Sequence, residues 1–181
     1  MLQADSRSVV QRNMGQIWLH RVQRGGARCI AKLERAATMG TVKAVCTSDI
    51  KGIQKTEVPS IELKEDWGID GDAHAGNWHR QVSLLSYEKI EEFKDKGADV
   101  INGSFGENII VEGFDLKALP IGTQFQVNDC VLELTQIGKE CHAHCAIYHK
   151  MGDCIMPREG VFTKVIHGGV IKEGDAIDIV E

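Results

Sequence analysis

The chain has 181 residues, of which 43% are hydrophobic and 26% are charged, a composition typical of a water-soluble globular domain. No apolar run approaches the roughly 18 residues needed to cross a bilayer, which excludes a membrane-spanning helix. Residues 1–38 carry a net charge of +5 and the remaining residues carry −10. This acidic body lacks the basic face that phosphate binding needs, which argues against a nucleic-acid partner.

The six cysteines are interpreted as reduced thiols of a cytoplasmic protein. The sequence has no charged start followed by an apolar segment and a small-residue cleavage site, so a secreted disulfide framework is not indicated. Cys46 and Cys130 lie in apolar strand patterns and are predicted to be inert core residues.

A domain boundary is predicted at Met39. Residues 1–38 are basic, poor in acids and without strand alternation, so we predict an N-terminal extension that is not part of the fold. Beyond Met39, residues Val42, Ala44 and Cys46 alternate as the inward side chains of a first strand would. The folded domain is therefore predicted to span 39–181.

Short alternating segments separated by glycine turns follow this first strand. A helix is predicted after Ser86, a good N-cap residue, because Tyr87, Ile90 and Phe93 share one helical face and Gly97 ends the pattern. A second, short helix is predicted within 145–151. Further strands are predicted at 58–64, 81–85, 108–112, 123–127, 130–136, 161–166 and 175–180. The pattern predicts a mainly β (α+β) fold, a closed or nearly closed β-barrel with one or two short helices.

Reactive side chains are concentrated between Ile137 and Cys154, in the sequence IGKECHAHCAIYHKMGDC. This segment holds three of the six cysteines and three of the seven histidines. Lys139 precedes Cys141 by two residues, and a nearby cation favours the thiolate, which is the form that attacks electrophiles and binds soft metals. We therefore predict Cys141 and Lys139 as the catalytic residues.

Three motifs in a fixed order, GIDGDAHAGNWHRQVSLL, GENI and GKECHAHC, resemble the MOSC domain family, named for the C-terminal domain of molybdenum-cofactor sulfurase. The similarity covers nearly all of residues 40–180. It implies a β-barrel-like fold around a cysteine, here Cys141, that carries sulfur as a persulfide or ligates molybdenum. It also implies the molybdenum cofactor (molybdopterin) as ligand. The implied partner is a cysteine desulfurase, which would hold its own pyridoxal phosphate, or another protein of molybdenum-cofactor biosynthesis or use.

A set of loop residues is predicted to bind this anionic cofactor, because a guanidinium and the backbone N–H groups of glycine turns bind phosphate. For Arg80 the alternative is a salt bridge with Asp70 or Asp72, and for Asn108 it is stabilisation of its own turn. The predicted cofactor-binding residues are Gly71, Asp72, His74, Gly76, Arg80, Asn108 and Arg158.

Three functions remain open from the sequence. The first is a sulfur carrier for the molybdenum cofactor, with Cys141 as persulfide carrier and Cys145 or Cys154 able to resolve the persulfide. The second is a non-catalytic cofactor-binding module in which Cys141 is a metal ligand. The third is a zinc-stabilised structural protein in which His144, Cys145 and Cys154 join Cys141 around the metal.

Overall fold

The computed structural model describes residues 39–141 and 144–180. The predicted extension at 1–38 lies outside the described residues. Within them the chain forms eleven strands: β1 (Met39–Thr47), β2 (Thr56–Val58), β3 (Ser60–Lys64), β4 (Gly68–Ile69), β5 (Val82–Ser86), β6 (Ile109–Glu112), β7 (Gln124–Val127), β8 (Cys130–Ile137), β9 (Val161–His167), β10 (Gly169–Lys172) and β11 (Ala176–Val180). The helices are α1 (Tyr87–Asp95), α2 (Ala146–Met151) and α3 (Met156–Glu159), with a 3-10 turn at Leu116–Ala118.

Seven of these strands close a barrel in the order β1, β11, β7, β8, β9, β5 and β6, and β1 pairs with both of its neighbours to complete the circle. All neighbours in the barrel are antiparallel except β5 and β6, which are parallel. Strand β2 extends the pairing at β1, and β10, β3 and β4 form a separate antiparallel sheet. The predicted mainly β barrel is therefore confirmed.

The burial of the strands follows their sequences. Along β8, residues Cys130, Leu132 and Leu134 are buried and alternate with partly exposed neighbours, as expected for a strand with one face on the core. Strand β5 is buried throughout, because Leu85 on its outer face packs with Ile90 and Phe93 of α1. The helix predicted after Ser86 thus covers one side of the barrel.

The structure departs from the predicted elements at a few places. The strand predicted at 58–64 is interrupted at Pro59, which has no N–H to donate to a ladder, so β2 and β3 enter different sheets. Helix α3 and the short strands β4 and β10 were not predicted, because four residues or fewer carry too little periodicity. No helix in the described residues has the length and apolar character needed to cross a membrane.

Candidate functional site

A cavity of about 280 Å³ opens at one rim of the barrel. Strands β1 and β8 end near this cavity, and strands β5, β6 and β9 begin near it. Ile137 at the end of β8 pairs with Val161 at the start of β9, and Val45 near the end of β1 pairs with Ile109 at the start of β6. The loops attached to these strand ends bring distant parts of the sequence together. The cavity is lined by His74, Trp78, Arg80, Ser83, Gly106, Asn108, Lys139, Glu140, Cys141 and Phe162.

Five residues of the predicted site therefore meet in one place. Cys141 and Lys139 stand on the segment after β8, His74 and Arg80 stand on the loop before β5, and Asn108 lies at the start of β6. The arrangement places an exposed thiol and two cationic side chains around the same space.

Asp72 lies beneath this cavity and organises its loops. Its carboxylate accepts hydrogen bonds from Lys55 Nζ at 2.5 Å, the Ser48 amide at 3.2 Å, the His74 amide at 2.9 Å and Asn108 Nδ2 at 3.1 Å. The side chains of Lys55 and Asp72 are 1% and 0% exposed. Asp72 was predicted to bind cofactor, but in the structure its hydrogen bonds are made within the protein.

Burial and pairing act in opposite directions on the pKa values of these two groups. Burial opposes the ionisation of Asp72, but hydrogen bonds from His74 and Lys55 outweigh it and hold the pKa of the carboxyl well below its usual range. Burial lowers the pKa of Lys55, and the pairing with Asp72 opposes this shift. Lys55 had no signal in the sequence, because a lone lysine in a polar loop usually lies in solvent.

The side-chain amide of Asn108 is likewise occupied inside the fold. Its Oδ1 accepts from the Ser83 amide at 3.1 Å and from Ser83 Oγ at 3.0 Å, and its Nδ2 donates to Cys46 O at 3.0 Å and to Asp72. With both amide hydrogens and both acceptor positions used, Asn108 joins β1, β5 and β6 at the cavity floor. These bonds reach Ser83, Cys46 and Asp72 and not the turn of Asn108 itself, so Asn108 connects neighbouring elements.

In contrast to Asn108, whose amide is fully hydrogen-bonded, Arg80 has one guanidinium nitrogen without a hydrogen-bond partner among the described residues. Its Nε is buried and makes no hydrogen bond to any of the described residues. The carboxylates considered as salt-bridge partners are engaged elsewhere, since Asp70 pairs with Lys64 and Asp72 pairs with Lys55. A buried donor without an acceptor costs roughly 1–3 kcal/mol. The Arg80 side chain also lines the cavity, where a guanidinium is suited to bind an anion.

Two aromatic rings hold the cations in place. The guanidinium of Arg80 lies 4.9 Å from the ring centroid of Trp78 and 5.7 Å from that of Phe162. Lys139 Nζ lies 5.7 Å from the centroid of the same Phe162 ring, so this ring contacts both cations. Trp78 is fixed in turn by a hydrogen bond from its Nε1 to His74 O at 2.8 Å. The sequence reasoning missed Trp78, Phe162 and Ser83, because an aromatic or serine near a strand end carries no motif of its own.

The segment that carries Cys141 is anchored to helix α3. Gly138 has a φ of +67° and donates its N–H to Gly160 O at 2.7 Å, and the Lys139 N–H bonds Pro157 O at 3.2 Å. A Cβ at Gly138 would lie 2.5 Å from Pro157 O, so only glycine fits this close approach. This anchoring explains why the glycine of the GKECH motif precedes the thiol.

A second cavity of about 200 Å³ also has Cys141 in its lining. Arg158, which was predicted to bind the cofactor, lies here and not in the first cavity, and both of its terminal nitrogens contact Asp153. The His144 and Tyr148 rings stack with centroids 3.6 Å apart. The second cavity is lined by Cys141, His144, Cys145, Tyr148, Asp153, Cys154, Pro157 and Arg158.

The zinc alternative finds no support in this cluster. Among residues 39–141 and 144–180, no group of three or more His, Cys, Asp or Glu side chains is arranged to hold a metal ion. Cys154 is 9% exposed, and burial raises the pKa of its thiol to about 11. Such a thiol is a poorer metal ligand than a thiolate.

The two glycines predicted to bind phosphate lie outside the first cavity. Gly76 donates its N–H to Trp67 O at 2.7 Å, so this N–H is not available for an anion. Gly71 has a φ of +76° and open space beside it, which is typical of a turn. The prediction that Cys46 and Cys130 are core residues is confirmed, because both are buried and burial raises their pKa values to about 12 and about 11.

Fold and site together define a small β-barrel domain with a cysteine and two cations at a rim cavity. The family model for the MOSC domain matches residues 70–178, which is more than half of the chain. The protein therefore belongs to the MOSC domain family, which is associated with the molybdenum cofactor.

Solved structures share this fold at low sequence identity. YuaD from Bacillus subtilis has a TM-score of 0.62 at 18% identity, over 78% of this chain and 95% of that one. YiiM from Escherichia coli has a TM-score of 0.57 at 17% identity, over 79% of this chain and 70% of that one. YiiM from Geobacillus stearothermophilus has a TM-score of 0.56 at 19% identity, over 79% and 75%. A search of curated proteins gave no match.

Proposed function

We propose that this protein is a sulfur carrier of the molybdenum-cofactor system and that it accepts sulfur as a persulfide on Cys141. The observation that carries the proposal is the position of the exposed Cys141 in the wall of a cavity that also holds Arg80 and Lys139. A thiol that exchanges sulfur must be reached by its donor and acceptor, and a cavity with cations on its wall suits an anionic acceptor.

The residues present fit the anionic cofactor. Arg80 supplies a guanidinium in the cavity lining, and Lys139 supplies a second positive charge near the same Phe162 ring. The volume of about 280 Å³ lies just below the roughly 300–1,000 Å³ typical of ligand pockets. Bound there, the cofactor would supply the metal that uses the sulfur, and the residues of this chain would orient its anionic groups.

The sulfur step needs only the thiol and a donor persulfide. The Cys141 thiolate attacks the terminal sulfur of the donor persulfide, the donor S–S bond breaks, and the donor cysteine leaves as a thiolate. A new S–S bond on Cys141 holds the transferred sulfur. The donor that we propose is a cysteine desulfurase, with the pyridoxal phosphate on that partner.

Labelling with sulfur tests this step directly. We expect that incubation with cysteine, a desulfurase and pyridoxal phosphate adds the mass of one sulfur to the Cys141 peptide and that reductant removes it. The buried Cys46 and Cys130 serve as internal controls and should stay unlabelled because their thiols are inaccessible. If Cys141→Ser takes up as much sulfur as the wild type, Cys141 is not the carrier.

A specific observation also favours the second candidate, a cofactor-binding module with Cys141 as metal ligand. Arg80 and Lys139 both line the first cavity, so the cavity suits an anion whether or not sulfur is transferred. Under this alternative, molybdenum and pterin fluorescence would purify with the protein and no persulfide would form on Cys141. Elemental analysis for molybdenum and zinc, combined with the labelling experiment, separates the three candidate functions.

Binding and thiol chemistry are separable by substitution. Arg80→Ala should weaken binding of molybdenum cofactor released from a molybdoenzyme by about ten- to a hundredfold, the loss expected for one or two charge-assisted hydrogen bonds. Lys164→Ala is the matched control, because Lys164 pairs with Asp66 at the surface and lies outside both cavities. Equal binding by the two variants would show that Arg80 does not contact the ligand.

A further inference from the structure

Cys141 belongs to the walls of two cavities, and the second of them contains further thiols. The first cavity is lined by Arg80 and Lys139, and the second is lined by Cys145 and Cys154 together with Cys141. None of the three cysteines is in a disulfide. In the proposed function, Arg80 and Lys139 bind an anion. Cys145 and Cys154 have no role there, either in binding the anion or in the uptake of sulfur.

Exposure distinguishes the two neighbouring thiols. Cys145 is exposed and lies immediately before α2. Cys154 is 9% exposed and packs in an apolar cluster with Ile155 and Met156. An attacking thiol must reach the S–S bond and approach it in line. Both thiols line the cavity, but only Cys145 is exposed, so Cys145 is better placed than Cys154.

We propose that Cys145 is the resolving thiol for the Cys141 persulfide, and this inference rests on the sulfur-carrier function proposed above. The Cys145 thiolate attacks Sγ of Cys141, a Cys141–Cys145 disulfide forms, and the terminal sulfur leaves as hydrosulfide. The sulfane sulfur gains two electrons and the two thiols lose them. A dithiol reductant returns the disulfide to two thiols for the next cycle.

The oxidation level of the transferred sulfur explains why a second thiol is needed. The terminal sulfur of a persulfide is two electrons more oxidised than sulfide, whereas a metal ligand that replaces an oxide must be sulfide. A carrier with a single cysteine would need an external reductant at the moment of transfer. A second thiol beside Cys141 supplies the two electrons within the protein and releases sulfide next to the cation-lined cavity.

Sulfide release without added reductant tests the step. The full-length protein is loaded with sulfur by a desulfurase under anaerobic conditions, freed of small thiols, and followed by methylene-blue detection of sulfide and by non-reducing peptide mapping. The wild type should release sulfide and form a Cys141–Cys145 crosslink. Cys145→Ser should retain the persulfide on Cys141 and release sulfide at least about tenfold more slowly. Cys154→Ala should behave as the wild type, and circular dichroism verifies that it is folded.

The outcomes separate this inference from the proposed function. Persulfide on Cys141 with sulfide release unchanged in Cys145→Ser, or a crosslink to Cys154, would overturn the resolving role alone. Absence of label from the wild type and from Cys145→Ser would overturn the carrier function and the resolving role together. Oxidation by diamide tests the pairing without persulfide chemistry, because it should give the same Cys141–Cys145 crosslink, and failure to form it would contradict the proximity of the two thiols.

Discussion

The buried ion pair between Lys55 and Asp72 makes a sharp prediction for stability. Lys55→Met keeps a long side chain in the buried position but leaves the Asp72 carboxylate without its cation. Removing one partner of a buried pair costs about 3–5 kcal/mol, because the remaining charge stays out of water. At roughly 2–4 °C per kcal/mol for a domain of this size, the melting temperature should fall by about 6–20 °C. Urea unfolding at neutral pH measures the free energy, and thermal unfolding measures the midpoint.

The same substitution at Lys64 is the matched control. Lys64 pairs with Asp70 at 2.7 Å, but these side chains are 50% and 53% exposed. Water and salt screen such a pair, so Lys64→Met should leave the urea midpoint nearly unchanged. Equal stability changes in the two variants, or a loss below about 1 kcal/mol for Lys55→Met, would refute the assignment of the Lys55–Asp72 pair as a buried charge pair.

The pH dependence of stability gives an independent test of how Lys55 affects the ionisation of Asp72. In the wild type the pKa of Asp72 is depressed below its ordinary 3.8, so its stabilising contribution is present above pH 3.8 and is lost as pH falls through the folded-state value. In Lys55→Met the unpaired carboxylate should instead have a raised pKa, because burial is no longer offset. The stability difference between variant and wild type should therefore shrink as the pH is lowered from neutral towards 3.8. A difference that grows on acidification would contradict this account.

Further predictions concern other parts of the domain. Burial raises the pKa of Glu107 from 4.5 to about 7. Its stabilising contribution should therefore be present below pH 4.5 and lost as pH rises through 7. Glu107→Gln should flatten this dependence of the unfolding free energy on pH, as measured by urea unfolding. Gly103→Ala should lower the free energy of unfolding by at least about 1–3 kcal/mol, because φ is +86° and a Cβ would lie 2.2 Å from Lys55 O. Gly71→Ala is the control: its φ is also positive but the space beside it is open, so the loss should be smaller. Removing residues 1–38 should change the melting temperature by no more than a few degrees, because that sequence has no periodic apolar face.

Sequence reasoning found the parts of the site that carry a chemical signature. Cys141 and Lys139 stand in a dense run of thiols and imidazoles, and His74 and Arg80 stand in a glycine-rich loop with ionisable residues. Both patterns are unusual for purely structural loops. The barrel was predictable for a similar reason, because alternation at period two persists over most of its strands, as in β3, where Ile61 and Leu63 are buried.

The sequence did not reveal which way each loop side chain faces. Asp72 and His74 are two residues apart, yet the Asp72 carboxylate lies beneath the loop and His74 lines the cavity. Arg158 follows the thiol segment closely but is held by Asp153 in the second cavity. The orientation of Asp72 depends on Lys55, which lies seventeen residues before it in the chain. Spacing alone cannot report contacts that only the closed barrel creates.

The two walls of the first cavity are held by different interactions, and this separates their functions. On the side of His74 and Arg80, the loop is fixed by the Asp72 carboxylate and by the Trp78 ring beside the guanidinium. On the side of Cys141, the chain is fixed by backbone hydrogen bonds to Pro157 and Gly160 at the two ends of α3, and Asp72 makes none of the hydrogen bonds that fix it. Under the proposed function, a substitution that loosens the first wall should therefore weaken anion binding before it changes the reactivity of the thiol. Because Cys141 also lines the second cavity together with Cys145, we expect the proposed sulfur exchange at Cys141 to persist in a variant that has lost anion binding in the first cavity.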